Sequence, residues 1–316
     1  MAINEALHQL MERDDRVFLM GQGVKSPWYV GNTAKDLLER FGSERVIDTP
    51  VSENAVTGAA VGAALAGMRP VVVHPRVDFM LYCMDPIINQ AANWYFMNGG
   101  RNPARVVFWG IVNRGGEQAA QHSQSLHATF AHVPGLKVVM PASPADAKGL
   151  MISAVLDDNP VVFMDDRWLH GLEDVVPEEF YKTPIGKGRV IRKGGDLTVV
   201  ALSYAVPLVT RVAEQLASEG FDLELIDPRT IKPLDIELMQ ASVEKTGRLL
   251  VLDPGWRSFG VAAEIMASVT ERAFASMKVA PERLTLPDTP APANRELEAA
   301  YYLSEGSITE KIRSML

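Results

Sequence analysis

Two side chains that can move protons stand in settings that suit catalysis. Glu53 follows a Thr-Pro-Val-Ser turn and opens a run of small residues, and His122 lies in a Gln-His-Ser-Gln-Ser segment soon after Gly115 and Gly116. Read alone, Glu53 is more often a first-turn carboxylate that stabilises the helix dipole behind the N-cap Ser52. An imidazole in a polar loop is suited to proton transfer near neutral pH.

A metal cluster built from histidines is disfavoured by their spacing. His122, His127 and His132 recur every five residues. Five helical steps of about 100° turn successive side chains by roughly 140°, so the three cannot share one helix face. The chain has one cysteine, Cys83, and therefore lacks thiolate ligands for a structural zinc site.

Common nucleotide and hydrolase motifs are missing. The sequence has no Walker loop, and Gly-Gln-Gly-Val-Lys-Ser at 21–26 begins like a dinucleotide fingerprint but lacks its third glycine. A Gly-x-Ser-x-Gly elbow is also absent. These absences argue against a nicotinamide-dependent enzyme and against an α/β-hydrolase.

Composition narrows the class of protein. With 316 residues, 47% of them hydrophobic, the chain is long enough for two cores. The 31 Lys+Arg and 39 Asp+Glu give a net charge of −8, which argues against nucleic acid or an anionic membrane as partner. A lone cysteine fits a reducing cytoplasm. The longest apolar run, 55–68, is shorter than the ~20 residues that cross a bilayer. We therefore expect a cytoplasmic protein without a membrane span.

Amphipathic helices alternate with short apolar strands along the whole chain. This alternation predicts an α/β protein with two doubly wound domains. We expect the first domain over 1–175, a linker rich in Pro, Gly, Lys and acid over 176–195, and the second domain over 196–316. One long helix is predicted over 79–97, ending at an Asn-Gly-Gly signal.

The small-residue helix after Glu53 carries a stripe of missing side chains. Gly58, Gly62 and Ala66 fall at i, i+4 and i+8 and lie on one face. Such a stripe lets another helix approach closely. The stripe fits packing within the domain and a subunit contact equally well.

Together these segments resemble the beta subunit of the thiamine-diphosphate-dependent component of pyruvate, branched-chain 2-oxoacid and acetoin dehydrogenases, a transketolase-like family. The resemblance implies an N-terminal pyrimidine-binding domain followed by a transketolase-type α/β domain. The segments that carry it, in chain order, are Asp-Thr-Pro-Val-Ser-Glu at 48–53, Gly-Ala-Ala-Val-Gly-Ala-Ala at 58–64, Gln-His-Ser-Gln-Ser at 121–125, Pro-Gly-Leu-Lys-Val-Val-Met-Pro at 134–141, Asp-Ala-Lys-Gly-Leu at 146–150, Asp-Asp-Asn-Pro-Val-Val-Phe at 157–163 and Asp-Pro-Arg-Thr-Ile-Lys-Pro-Leu-Asp at 227–235.

The resemblance assigns roles to four side chains. It implies that Glu53 hydrogen-bonds the N1' atom of the cofactor's aminopyrimidine ring, and that His122 serves the transfer of the acyl group to its acceptor. By the same resemblance Phe79 and Tyr82 line the aminopyrimidine pocket, although both also fit the core of a helix.

A structural potassium ion is also implied by the resemblance. A hard cation takes carbonyl and carboxylate oxygens. The Asp-Asp-Asn-Pro segment at 157–160 fits a plain helix-ending turn as well. The residues that match the family's potassium positions are Val106, Ala154, Val155, Asp157 and Asn159.

The diphosphate half of the cofactor site is missing from this sequence. Thiamine-diphosphate enzymes hold the diphosphate through Mg²⁺ on a Gly-Asp-Gly motif followed by an Asn, whereas Gly-Gly-Asp-Leu at 194–197 lacks the second glycine and that Asn. The resemblance therefore implies a separate alpha subunit, with two alpha and two beta chains. A lipoyl transacylase core is the usual acyl acceptor and a further expected partner; a small 2-oxoacid is the expected substrate.

Two departures from the family pattern bear on the acceptor. The chain has Gln22 where relatives carry an acid after the first strand, and it reads His-Pro-Arg-Val-Asp at 74–78. We hypothesise an acceptor other than a lipoyl domain, such as a sugar or a carrier-bound group. The rival functions are the C-terminal half of a split transketolase and a non-catalytic scaffold subunit. The polar residues left without a role are Arg76, Arg114, Glu117, Arg167, Trp168 and His170.

Overall fold

The computed structural model describes residues 1–26 and 32–316 and divides into two compact units. The first comprises Met1–Arg114 and Thr129–Ile185, and the second comprises Gly115–Ala128 and Gly186–Leu316. The division after Ile185 falls inside the stretch predicted as a linker. The segment Gly115–Ala128 belongs to the second unit although the first surrounds it in sequence, and no sequence signal indicated this.

The first unit contains a parallel sheet in the order β5-β6-β4-β3-β1-β2. Every residue of β1, β3, β4 and β6 is buried, as expected for parallel strands covered on both faces. The strands are β1 Val17–Gly21, β2 Val46–Asp48, β3 Arg69–His74, β4 Val107–Val112, β5 Lys137–Val139 and β6 Val161–Asp166.

Helices cover this sheet. Helix α1 buries Ile3, Leu7 and Leu10, one face of a 3.6-residue period, against α6 and the sheet core. The α-helices are α1 Ala2–Arg13, α2 Leu37–Phe41, α3 Glu53–Leu65, α4 Asn93–Met97, α5 His127–Ala131 and α6 Pro144–Leu156; 3₁₀ helices span Val77–Cys83, Ala120–His122 and Arg167–Leu169, and a π-helix spans Asp85–Ala92.

The prediction of one continuous α-helix over 79–97 was wrong. The chain instead runs through the 3₁₀ helix, the π-helix and the short α4 in succession. Pro86 lies near the start of the π-helix. Because proline lacks an N–H and restricts the residue before it, the regular ladder is interrupted there and the helix type changes.

The order of the first sheet creates a crevice beside β1. The chain leaves β1 for β2 on one side, then returns to β3 on the other side and continues to β4. Connections that diverge in this way open a crevice at the carboxyl ends of the strands. At the end of β1, Gly21 has φ +150°, and a Cβ there would lie 2.5 Å from the Val73 carbonyl oxygen. Only glycine permits that close approach.

The second unit is also α/β, as predicted. Its sheet has the order β12-β11-β8-β9-β7, with β7 antiparallel to β9 and the other neighbours parallel, while β10 lies outside it. The strands are β7 Arg189–Arg192, β8 Leu197–Ala201, β9 Leu223–Asp227, β10 Thr230–Lys232, β11 Leu249–Trp256 and β12 Glu282–Leu286; the helices are α7 Ala205–Ala217, α8 Ile236–Thr246, α9 Val261–Ala273, α10 Arg295–Tyr301 and α11 Glu305–Met315, with a 3₁₀ helix at Phe274–Ser276.

Within residues 1–26 and 32–316, no helix has the length and apolar character needed to span a bilayer.

Candidate active site

A cavity of about 350 Å³ lies at the crevice of the first unit. Its walls come from the ends of β1 and β3, from the turn at 49–52, from the start of α3 and from the 3₁₀ helix Val77–Cys83. This volume falls in the range of small-molecule sites. The fold thus places a ligand-sized space where a doubly wound sheet usually binds its ligand.

Glu53 is the first residue of α3 and lines this cavity half-buried. The turn at 49–52 brings α3 directly off the end of β2, so its first turn faces the crevice. In the described part of the chain no residue hydrogen-bonds the Glu53 carboxylate, and the N-cap Ser52 makes no side-chain cap either. The carboxylate is therefore available to a ligand.

Phe79 and Tyr82 line the same cavity. Their ring centroids are 6.4 Å apart with an interplanar angle of 29°. Tyr82 is 72% exposed, which rules out a role in the packed core, and Phe79 is partly buried. The structure thus brings together three of the predicted site residues, Glu53, Phe79 and Tyr82, around one space.

A histidine without a predicted role also lines the cavity. His74 ends β3 and is almost completely buried, with its Nε2 3.3 Å from the Thr57 hydroxyl. Burial lowers the pKa of His74 to about 4. The imidazole is consequently neutral at physiological pH.

Cys83, at the end of the 3₁₀ helix, packs behind the cavity wall. Its Sγ donates to the Met80 carbonyl at 3.2 Å and its side chain is fully buried. Burial, together with the charge of Glu53, raises the pKa of the thiol to about 11, although a hydrogen bond with Thr57 opposes the shift. The thiol therefore stays protonated and is no nucleophile.

His122, the other predicted catalytic residue, belongs to the second unit. It ends the 3₁₀ helix Ala120–His122 half-buried, with its Nδ1 3.3 Å from the Gln118 carbonyl oxygen. Glu117 and Ala119 both have φ of 61°, a conformation that non-glycine residues adopt at a cost. Strain of this kind persists only where neighbouring contacts hold the backbone.

Such contacts come from the last helices of the second unit. The Glu117 N–H donates to both carboxylate oxygens of Glu298 at 3.1 Å. The Gly115 N–H donates to the Tyr302 hydroxyl at 3.4 Å. These bonds fix the start of the segment that carries His122.

A buried chain of three polar side chains fixes the end of that segment. His127 Nδ1 lies 2.9 Å from the Ser125 hydroxyl, and its Nε2 lies 2.9 Å from Asp253 Oδ1. Burial alone would raise the pKa of Asp253, yet the charge and hydrogen bond of His127 and the N–H groups of Gly255 and Ala262 lower it. Because His127 is fully buried, it anchors the segment and does not meet substrate.

The predicted potassium ligands already take part in other bonds. Arg69 Nη1 donates to the carbonyls of Val155 and Asp157 at 2.7 and 3.1 Å, and Lys137 Nζ lies 2.6 Å from the Asp157 carboxylate. A carbonyl oxygen has two lone pairs, so one remains on each. Arg69 and Lys137 therefore place two positive charges at these oxygens, and a cation would have to compete with them.

The side-chain-poor stripe of α3 is not packed within the chain. Gly58, Gly62 and Ala66 are exposed, and no described atom lies within 4 Å of a Cβ built at either glycine. Of the two interpretations of this stripe, packing inside the domain is therefore wrong for the described structure.

The buried His74 predicts a specific pH dependence of stability. In the folded state it binds a proton only near pH 4, whereas in the unfolded chain it does so below about pH 6.5. Acidification from about pH 7.5 to about pH 5 should therefore cost roughly 2 kcal/mol of unfolding free energy through this residue. In urea titrations of wild type and His74→Gln at both pH values, the variant should lose that part of the dependence. Equal pH dependence in the two proteins would contradict it.

Comparison with known proteins agrees with this geometry. The family described as "Transketolase, pyrimidine binding domain" matches residues 1–170, and "Transketolase, C-terminal domain" matches residues 186–308. Among solved structures, a split-gene transketolase described as an inactive beta4 tetramer aligns with a TM-score of 0.82 over 100% of this chain and 97% of that chain. At 20% identity this likeness shows the fold alone.

Curated relatives are closer in sequence to this chain than that solved structure is. The beta subunit of acetoin:2,6-dichlorophenolindophenol oxidoreductase from Cupriavidus necator is 41% identical, covering 100% of this chain and 96% of the relative. The pyruvate dehydrogenase E1 component subunit beta of Rickettsia felis is 40% identical over 99% of this chain and 96% of its own length. Its mitochondrial counterpart from Rattus norvegicus is 41% identical over 94% and 84%. The chain belongs to the family of 2-oxoacid dehydrogenase E1 beta subunits, which are thiamine-diphosphate-dependent and transketolase-like.

Proposed function

We propose that this chain binds the aminopyrimidine half of thiamine diphosphate and, with a separate alpha subunit, catalyses the oxidative decarboxylation of a 2-oxoacid with transfer of the acyl group. One observation carries the proposal. The Glu53 carboxylate, without a hydrogen-bond partner among the described residues, faces a cavity that Phe79 and Tyr82 also line. That combination suits a flat, basic heterocycle.

Thiamine diphosphate held here would supply the carbanion chemistry of the decarboxylation. Glu53 would hold a proton at N1' of the aminopyrimidine ring, which is general acid–base work within hydrogen-bond reach. Phe79 and Tyr82 would line the space that the ring takes. The neutral His74 adds no positive charge that would compete for the Glu53 carboxylate.

His122 is proposed to exchange a proton during acyl transfer. A carbonyl oxygen only accepts hydrogen bonds, so the contact with Gln118 assigns the proton of the neutral ring to Nδ1. Nε2 is then the nitrogen that accepts a proton. The anchors at Glu298 and Asp253 hold the segment that presents this nitrogen.

The alpha subunit is proposed to hold the diphosphate through Mg²⁺ and to dock on the exposed stripe of α3. The curated relatives carry the word beta in their names, which supports a partner chain. Glu53 opens the helix that bears this stripe, so a partner seated there would lie next to the cofactor cavity. Two alpha and two beta chains form the proposed assembly, with a lipoyl transacylase core or another carrier as acyl acceptor.

Two further elements belong to the proposal. A potassium ion would be held by oxygens of Val106, Ala154, Val155, Asp157 and Asn159. The protein is proposed to work in a reducing cytoplasm, which its single, buried Cys83 supports. The rival function as half of a split transketolase is disfavoured, because the solved split-gene transketolase is 20% identical while the dehydrogenase subunits are about 40% identical.

Replacing the proposed proton-holding carboxylate tests the function. Glu53→Gln in the assembly with the alpha chain should lower kcat by at least 10²-fold, the usual contribution of a general acid–base group. The matched control Glu44→Gln, an exposed carboxylate, should keep normal turnover. Wild-type turnover in Glu53→Gln would overturn the proposal.

Calorimetry with thiamine diphosphate and Mg²⁺ should detect tight binding only to this chain mixed with the alpha chain. Equally tight binding to this chain alone would contradict the split site.

A bulky side chain on the α3 stripe should block assembly without unfolding the chain. Gly62→Leu adds a side chain where the described chain offers open space, and leucine favours a helix over glycine by roughly 0.8 kcal/mol. We expect an unchanged or higher Tm and at least tenfold weaker association with the alpha chain by sedimentation velocity. Ala217→Leu, on an exposed position of α7, is the control. Normal association of Gly62→Leu would place the alpha subunit elsewhere.

Exchange of monovalent cations tests the potassium site. Replacing choline by potassium at constant ionic strength should raise Tm by a few degrees, because a ligand that binds only the folded state stabilises it. The shift should disappear in Asp157→Asn and persist in Asp174→Asn, an exposed carboxylate elsewhere in the first unit. A Tm that ignores potassium in wild type would remove the site from the proposal.

A further inference from the structure

Two arginines follow central strands of the first sheet at its carboxyl edge. Arg76 comes two residues after β3, and Arg167 directly follows β6. Because β4 alone separates β6 from β3 in the sheet, the two strand ends lie about 10 Å apart. Arg76 lines the cofactor cavity. Both long side chains therefore start from the same rim of the crevice.

Neither guanidinium forms an ion pair with a described carboxylate, although the charge of Asp165 acts on Arg167. Arg76 Nη1 donates to the Pro75 carbonyl at 2.9 Å, but its Nε is buried without a partner. Nε and Nη2 of Arg167 are likewise buried without a partner. No ion pair joins either arginine to a described carboxylate, and residues 27–31 contain no Asp or Glu. Burial of polar donors without acceptors is costly, and arginine cannot escape it by losing its proton.

The carboxylates next to Arg167 are committed to other cations. Asp166 accepts from Arg114 Nε at 2.8 Å, with both side chains fully buried. Asp165 lies 2.9 Å from His170 Nε2. Both carboxylates thus have closer partners, and Arg76 and Arg167 remain as two positive charges without an ion-pair partner on one rim.

The two charges also act on each other. Burial, followed by the charge of Arg76, lowers the pKa of Arg167, while Asp165 opposes the shift. The backbone at Arg76 is held in place, because Asn113 Nδ2 donates to the carbonyl of the preceding residue, Pro75, at 3.2 Å. An anion received between the two guanidiniums would supply the missing acceptors and relieve the repulsion.

We propose that Arg76 and Arg167 form an anion-binding subsite beside the cofactor cavity and take a carboxylate or phosphate group of the substrate in addition to the carboxylate that leaves as CO₂. The inference rests on the proposed function, which sets decarboxylation in this cavity. Guanidinium groups bind both anions through paired N–H donors, and a desolvated pair gives the strongest form of that interaction. The substrate class is thus a 2-oxoacid with a second acidic group.

Anion binding to the full chain alone tests the subsite independently of catalysis. The probes are glutarate and inorganic phosphate, titrated against chloride at constant ionic strength and followed by calorimetry and by the fluorescence of Trp168, which neighbours Arg167 and is 41% exposed. Arg76→Gln and Arg167→Gln should each raise the Kd at least tenfold, while Arg211→Gln, an exposed arginine of α7, should leave it unchanged. The tighter probe identifies the anion as carboxylate or phosphate.

Two results would overturn the subsite: no saturable binding of either probe to wild type, or equal Kd values in wild type and both arginine variants. Misfolding of the variants is not expected to obscure the outcome. Each substitution removes a partly buried charge without an ion-pair partner, so Tm should stay or rise.

The assembled enzyme tests the substrate class. With an artificial electron acceptor, the ratio of kcat/KM for 2-oxoglutarate to that for 2-oxopentanoate compares acids of equal length with and without the second carboxylate. If phosphate is the tighter probe, a phosphorylated 2-oxoacid replaces 2-oxoglutarate. The ratio should fall at least tenfold in Arg76→Gln and Arg167→Gln, and an unchanged ratio would refute the assignment. Failure of the proposed function would appear instead as wild-type turnover in Glu53→Gln, with the anion titration unaffected.

Discussion

The divergence of the chain at β1 is the constraint on which the first unit depends. All strands of this sheet are parallel, so all their carboxyl ends share one rim, and the connection to β2 departs opposite to the continuation through β3 and β4. Connections that diverge in this way open a crevice at that rim. Gly21 keeps β1 and β3 close enough for the rim to stay continuous. Everything that lines the cavity is placed by this single change of direction.

Local sequence signals were enough to predict the position of Glu53 and the α/β class of both units. The N-cap and small-residue pattern placed Glu53 at the start of a helix, and the alternation of elements predicted the α/β class of both units. Pro86 shows where local reasoning failed, because helix length alone did not reveal the change from 3₁₀ to π geometry. His74 and the bond between His127 and Asp253 were inaccessible for another reason. Burial of an imidazole and a contact between residues 126 positions apart are decided by tertiary packing. The one sequence signal was a charged residue within an otherwise apolar strand, as at Asp253.

The arginines of the first unit fall into two physical groups. Arg45 donates to the carbonyls of Met11, Asp14 and Val17. Arg69 Nη1 donates to the carbonyls of Val155 and Asp157, and Arg114 Nε donates to the Asp166 carboxylate. These side chains tie strands and helices together, and their removal would leave buried acceptors without donors. Arg76 donates only to the carbonyl of its neighbour Pro75, and buried donors of Arg167 have no acceptor. Because these two side chains do not join elements, they are the ones proposed to receive an anion.

The single buried thiol, Cys83, allows the opening of the cavity wall to be measured by its rate of alkylation. It is the chain's single thiol, it is fully buried, and with a pKa of about 11 it remains protonated in the folded state. An alkylating reagent can therefore reach it only through a local opening of the 3₁₀ helix that also carries Phe79 and Tyr82, or through unfolding of the chain. With excess reagent, the rate at which one mass increment appears, compared with the rate for the unfolded chain, reports the free energy of that opening. The opening of the pocket can thus be measured in the wild-type chain, without an engineered label.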